Sequence, residues 1–269
     1  MTVQAPASAA QSITKPKAAF LRVVTALILR EMSTRYGRTP GGYVWALVEP
    51  LAAIGVLSIG FSLVLRSPSL GNSFLLFFAS GYMTFQFYLT LSNVVGRAIW
   101  FSKPLLRYPA VTWLDAVVAR AALNFLTSFL VALILMIGVI VAIGYRAPID
   151  PAKVIEAFAL AAFLGLGVGL VNCVLMGLYP IWEVIWSVLT RPLFLASAIF
   201  YIYEDLPGLA QDILYFNPLV HLTGLARSGI YPGYHPEYVQ VWFPLLLSLF
   251  LTMLGLILLR RYYREILQR

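Results

Sequence analysis

Residues 121–143 read AALNFLTSFLVALILMIGVIVAI, and no charge interrupts them. A helix needs about 20 mostly apolar residues to cross the roughly 30 Å of hydrocarbon in a bilayer. The stretch therefore reads as a membrane span, and the fold depends on how often the pattern recurs. It lies within Trp113–Ile143, the third of six such segments. The others are Val44–Leu65, Phe74–Val95, Val154–Leu178, Val184–Tyr203 and Val239–Leu259, of which the fifth is interrupted by Arg191-Pro192. Composition agrees. Hydrophobic residues make up 61% of the 269, and charged residues 11%, against about 45–50% and roughly 25% in soluble domains. A compact soluble fold has too little interior for that much apolar surface. Disordered chains are charge-rich and apolar-poor. The expected fold class is an all-α polytopic membrane protein with six transmembrane helices.

The charges are unevenly placed. Lys+Arg number 19 against 11 Asp+Glu, a formal net charge of +8. In a soluble chain that excess would suggest nucleic acid. Here, with a cytoplasmic N-terminus, Lys15, Lys17, Arg22, Arg30, Arg35, Arg38, Arg97, Lys103, Arg107, Arg260, Arg261, Arg264 and Arg269 all fall inside. Only Arg66, Arg146, Lys153 and Arg227 fall outside. This is the positive-inside bias, and it places both termini in the cytoplasm. Met1–Thr14 lacks the apolar core of a signal peptide. The expected organisation is a disordered N-terminus (1–14), a cytoplasmic interface helix (15–39), a six-span domain (40–260) and a cytoplasmic tail (261–269). Cys173 is the single cysteine, which excludes an internal disulfide and a cysteine metal cluster.

Two segments do not read as spans. Before the first, Phe20, Val23, Val24, Leu27 and Ile28 recur at helical spacing while Arg22, Thr25, Arg30 and Ser33 face away. That is the pattern of an amphipathic helix lying in the inner interface. Pro40-Gly41-Gly42 breaks it, and Tyr43 and Trp45 mark the headgroup level. The second is the outer segment 204–238. Its apolar runs, Leu206–Phe216 and Leu219–Ile230, are too short to cross and suit re-entrant or interfacial helices. Asn217-Pro218 is a helix start, with Asn as cap and Pro in the first turn.

Catalytic chemistry finds little support. There is no G-x-x-x-x-G-K-[ST] phosphate loop and no H-E-x-x-H, and His221 and His235 have no metal-ligand spacing around them. No catalytic or metal-binding residue is expected, and no cofactor in this chain. Charges within spans are costly and mark protein or water contacts. They are Glu49 before Pro50, Asp115 and Arg120 at the start of the third span, and Arg191 before Pro192. Proline removes a helix hydrogen bond, so the fifth span should kink. Gly165, Gly167, Gly169 and Gly177 permit close helix packing in the fourth. Outer aromatics suit either a membrane belt or stacking on sugars, with Tyr201 and Tyr203 best placed for the latter. The basic, aromatic loop Arg97–Pro109 offers a docking surface on the inside. A transporter and a membrane-integral glycosyl- or acyltransferase both remain open on these features.

Three motifs narrow the choice. Arg35-Tyr36-Gly37-Arg38 leads into Gly42-Tyr43-Val44-Trp45-Ala46-Leu47-Val48-Glu49-Pro50, and later come Arg191-Pro192-Leu193-Phe194 and Asn217-Pro218-Leu219-Val220-His221. Together they resemble the transmembrane (permease) subunit of type-2 ABC exporters that move capsular polysaccharide across the bacterial inner membrane. O-antigen and teichoic acid exporters share the first motif. The resemblance implies a homodimer with two copies of a separate ABC ATPase, which binds the ATP and Mg2+. It implies a lipid-linked, often acidic polysaccharide as substrate, with periplasmic and outer-membrane export proteins beyond. Candidates for the substrate path are Arg191, Pro192, Tyr201, Tyr203, Asn217, His221 and Arg227. Candidates for coupling to the ATPase are Arg30, Arg35, Arg38, Glu49, Arg97, Lys103 and Arg107.

Overall fold

The computed structural model describes residues 17–36, 42, 44–108 and 111–269. Among them the regular structure is helical, with no strand: α1 Lys17–Tyr36, α2 Val44–Ser62, α3 Phe74–Gly96, α4 Ala98–Ser102, α5 Trp113–Ala142, α6 Pro151–Leu178, α7 Ile181–Leu195, α8 Gly208–Leu214, α9 Pro218–Ile230 and α10 Trp242–Gln268. Five of these, α2, α3, α5, α6 and α10, are long and apolar enough to cross a membrane. The expected N-terminal disorder, Arg38, Pro40, Gly41 and Tyr43 lie outside the described residues. Gly42 is described, and its φ of +42° is the left-handed turn that opens α2.

The helix ends follow from local chemistry. Thr112 and Asp115 form a reciprocal capping box at the start of α5, which gives Asp115 a structural task. Asp150 accepts from the N–H groups of Ala152 and Lys153 at the start of α6. Asn217 accepts from the Leu219 N–H at 3.1 Å, with Pro218 in the first turn of α9.

The helices α3 and α6 form the centre. α6 packs on α10 and α3, and α3 also meets α5, α2 and α9. Glycine makes the α6 contacts close. A Cβ on Gly165 would stand 2.5 Å from the Tyr88 carbonyl oxygen, and one on Gly167 would stand 2.9 Å from that of Ser248. Gly165→Ala should therefore force α3 and α6 apart and destabilise the protein by roughly 1–3 kcal/mol. A thermal melt of the purified protein measures this, and an unchanged midpoint would contradict the packing.

The fifth expected span is shorter than the sequence suggests. α7 has 15 residues and ends at Leu195, about 22 Å at 1.5 Å per residue. Pro192 brings no N–H to the carbonyl of Val188, and three residues after the helix the backbone of Ala198 turns left-handed at φ +54°. Residues 196–202 then run without regular helix to a short turn at Tyr203–Asp205. The last span is longer than expected, since α10 stays helical through Arg260, Arg261 and Arg264. α9 is buried on most of its faces, against α3, α6 and α10, rather than lying on a rim.

Candidate functional site

A cleft of about 650 Å³ lies between α3 and α7. Tyr82, Phe85, Trp186 and Phe194 give it aromatic walls, and Gln86, Asn93, Thr190 and Arg191 are its polar lining. At one end Arg97, which caps α3, pairs with Glu183 in the first turn of α7 at 2.7 Å. Both side chains are more than half exposed, so the pair aligns the helices more than it stabilises them. Two indoles anchor α7 further. Trp186 donates to Asn93 at 3.0 Å, and Trp182 to Asn172 at 2.9 Å. Nothing in the sequence pattern singled out these anchors. Arg191 is exposed on this cleft, and no carboxylate among the described residues pairs with it. A cation above aromatic and aliphatic walls suits an amphiphilic anion.

The irregular stretch beyond α7 is held by α9, side chain to backbone. Asn217 donates to the Ala196 carbonyl at 2.8 Å and Thr223 to that of Ser197 at 3.0 Å. Arg227 donates to the carbonyls of Ile199 and Tyr201 at 2.9 and 2.7 Å. Its guanidinium is buried (1% exposed) and lies 4.0 Å from the centre of the Phe77 ring. Buried backbone outside a helix must find partners elsewhere, and these three side chains supply them to the carbonyls of Ala196, Ser197, Ile199 and Tyr201. Asn217 and Arg227 thus sit in the scaffold behind the site, and Thr223 joins them though the sequence reading passed over it.

His221 is scaffold too. The Gln240 N–H donates to its Nδ1 at 3.2 Å, which places the ring proton on Nε2, facing the Tyr215 carbonyl at 2.7 Å. Burial lowers its pKa, opposed by the carbonyls of Tyr215 and Tyr238. Tyr201 donates to the Leu195 carbonyl, and Tyr203 to that of Gln211, both at 3.0 Å. The Tyr203 ring stacks on Tyr238 at 4.2 Å. Tyr234 donates to Glu204 at 3.0 Å, completing an aromatic and acidic surface at this end.

The opposite end gathers the basic candidates. Arg30 is exposed on α1, and Arg35 lies in its last turn. Lys103 is half-buried after α4. Arg107 lines a cleft of about 320 Å³ with Trp113 and Tyr263. One contact here was not expected: Glu31 of α1 pairs with Arg120 of α5 at 3.3 Å, and both are buried. Arg120 also stands 4.1 Å over the Phe101 ring of α4. The position of Glu31, one turn beyond Ile28 on the apolar face of α1, was a legible signal for burial. Its partner, on a distant helix, was not.

Residues 22–231 match the model of the ABC-2 type transporter family. The chain belongs to this family. Relatives span nearly the whole chain. The polysialic acid transport protein KpsM of Escherichia coli is 31% identical over 237 residues, covering 88% of this chain and 92% of that one. The capsule polysaccharide export inner-membrane proteins CtrC of Neisseria meningitidis and BexB of Haemophilus influenzae are each 28% identical over 246 residues, covering 91% of this chain and 92% of theirs. The motif-bearing segments at 42–50, 191–194 and 217–221 all lie inside the family match. The two features that stand out are the cleft along α7, with Arg191 in its lining, and the end of the bundle where Arg30, Arg97 and Arg107 are exposed.

Proposed function

We propose that this chain is the permease of an ABC exporter that carries lipid-linked, acidic capsular polysaccharide across the bacterial inner membrane. The observation that carries the reading is the similarity, over about nine-tenths of the chain, to capsule and polysialic acid export proteins, joined to a cation, Arg191, that no carboxylate pairs among the described residues and that lines an amphiphilic cleft. In this reading α7 and residues 196–202 together make the sixth crossing. Two contacts support it. α7 begins beside the end of α3, through Arg97 and Glu183, and its continuation reaches α9 at the other end of the bundle. Six crossings place both termini on the basic side, in the cytoplasm. α1 lies along the inner interface with Phe20, Val24, Leu27 and Ile28 turned in, and α8 and α9 enter the outer leaflet.

Two copies of the chain and two of a separate ATPase form the working unit, and the ATPase binds ATP and Mg2+. Its closure pushes on α1 and the Arg97–Pro109 loop. α7, anchored near its start by two indoles and weakened at Pro192, shifts against α3. Arg191 meets the anionic groups of the lipid terminus or polymer, while Tyr201 and Tyr203 guide the sugar chain outward to periplasmic and outer-membrane export proteins. Arg191→Ala, co-purified with its ATPase, should lower export of surface polysaccharide at least about tenfold, the worth of one charge-assisted hydrogen bond. Lipid-linked glycan should accumulate inside the cell. Normal surface polysaccharide in that variant would remove Arg191 from the path. Sugar transfer from an activated donor by the purified chain alone would favour a transferase instead.

A further inference from the structure

A second recess lies on the other side of α3. Helices α2, α3 and α5 enclose a groove of about 120 Å³ lined by Glu49, Gln86, Thr90, Asn124, Thr127 and Ser128. It lies within helices long and apolar enough to span the membrane, where polar side chains are costly unless partnered. Most hydroxyls of these helices return their proton to a carbonyl of the preceding turn. Ser62, Ser80, Thr84, Ser92 and Thr127 all do so. Thr90 and Ser128 do not: no hydrogen bond engages them, or the Gln86 amide, among the described residues, and Glu49 has no ion pair there. Pro50 adds to the set, because it brings no N–H to the carbonyl of Ala46, which also lines the groove. One carboxylate, one amide and two hydroxyls thus line the groove with no hydrogen bond or ion pair among the described residues.

The chemistry of the lining selects the ligand. A bare cation would take a shell of oxygens only, whereas Gln86, Thr90 and Ser128 also supply donors. An anion would meet the Glu49 carboxylate. Hydroxyl groups that donate and accept match the mixture, and Met83 and Phe87 give an apolar wall beside it. The volume equals about four waters at roughly 30 Å³ each, enough for the hydroxylated edge of one sugar ring. Gln86 also lines the α7 cleft that holds Arg191, so one amide touches both recesses. The geometry points to a glycan site. The groove between α2, α3 and α5 seats the hydroxyl-bearing edge of one sugar unit of the exported chain, beside the cleft where Arg191 meets its anions. This rests on the export reading above.

The test uses the assembled permease–ATPase complex in nanodiscs, with lipid-linked capsular glycan extracted from the producing cells as probe. The readout is the glycan concentration that half-maximally stimulates ATP hydrolysis. Thr90→Val combined with Ser128→Ala should raise it about tenfold, or ~1.4 kcal/mol, through two lost hydrogen bonds. Ser128→Thr keeps the hydroxyl and should stay close to wild type. If the double variant fails to assemble, each single variant should show roughly a threefold rise, the even division of that tenfold. A half-stimulating concentration unchanged in the hydroxyl-deleted variants overturns the glycan site while leaving the export reading standing. A wild-type complex that the glycan does not stimulate overturns both, before any variant is made.

Discussion

Replacing Arg120 with Ala should cost the protein about 3–5 kcal/mol, the usual penalty for leaving one member of a buried ion pair alone. Arg120 and Glu31 are 8% and 5% exposed, 3.3 Å apart, and Phe101 lies under the guanidinium. Glu31→Ala should be comparably damaging, since it strands the cation instead. The expected readout is loss of the monodisperse peak and a lower thermal midpoint. The paired variant Glu31→Leu with Arg120→Met separates charge from shape. Two apolar side chains of similar volume restore packing without the desolvation of two ions, so the double variant should recover most of the lost stability. A double variant as unstable as either single one would mean that the pair contributes through geometry that apolar residues cannot replace. The contact matters because it ties α1, α4 and α5 together at the end where the exposed cations gather.

Arg227→Met is the second large effect. It removes both donors from the carbonyls of Ile199 and Tyr201 and leaves those oxygens beside a buried thioether. Hydrogen bonds from a charged donor are worth roughly 1.5–3 kcal/mol each, so the loss of two should be on the order of 3–6 kcal/mol. Arg227→Lys keeps the charge without the planar fork and should recover only part of that stability. The damage should be local first. A cysteine placed at Tyr201 should become more reactive to a thiol reagent in the Met variant than in the parent, ahead of global melting. Equal reactivity and equal melting would show that residues 199–201 hold their path without Arg227.

Five of the six expected span positions fall on helices long and apolar enough to cross a membrane, legible because hydropathy is a property of contiguous residues and a bilayer imposes one length on all of them. Cap signals were legible for the same reason: Asn217-Pro218 acts over two or three positions. The fifth expected span corresponds to a helix of only 15 residues, because the helix ends at Leu195, between Pro192 and the left-handed Ala198, while apolar residues continue. Hydropathy counts such residues alike whether they are helical or not. Among the site candidates, Arg191 was read as a charge exposed to a ligand, and it lines an open cleft. Arg227, Asn217 and His221 looked similar in the sequence, yet each is held by backbone carbonyls between 6 and 28 residues away. The sequence carries no record of those separations. It contained the family motifs and the helical class, both carried by residues close together in the chain. Which buried charges hold the scaffold and which polar groups are left for a ligand depended on helices meeting across the bundle, because burial and hydrogen-bond partnership exist only once distant residues are brought together.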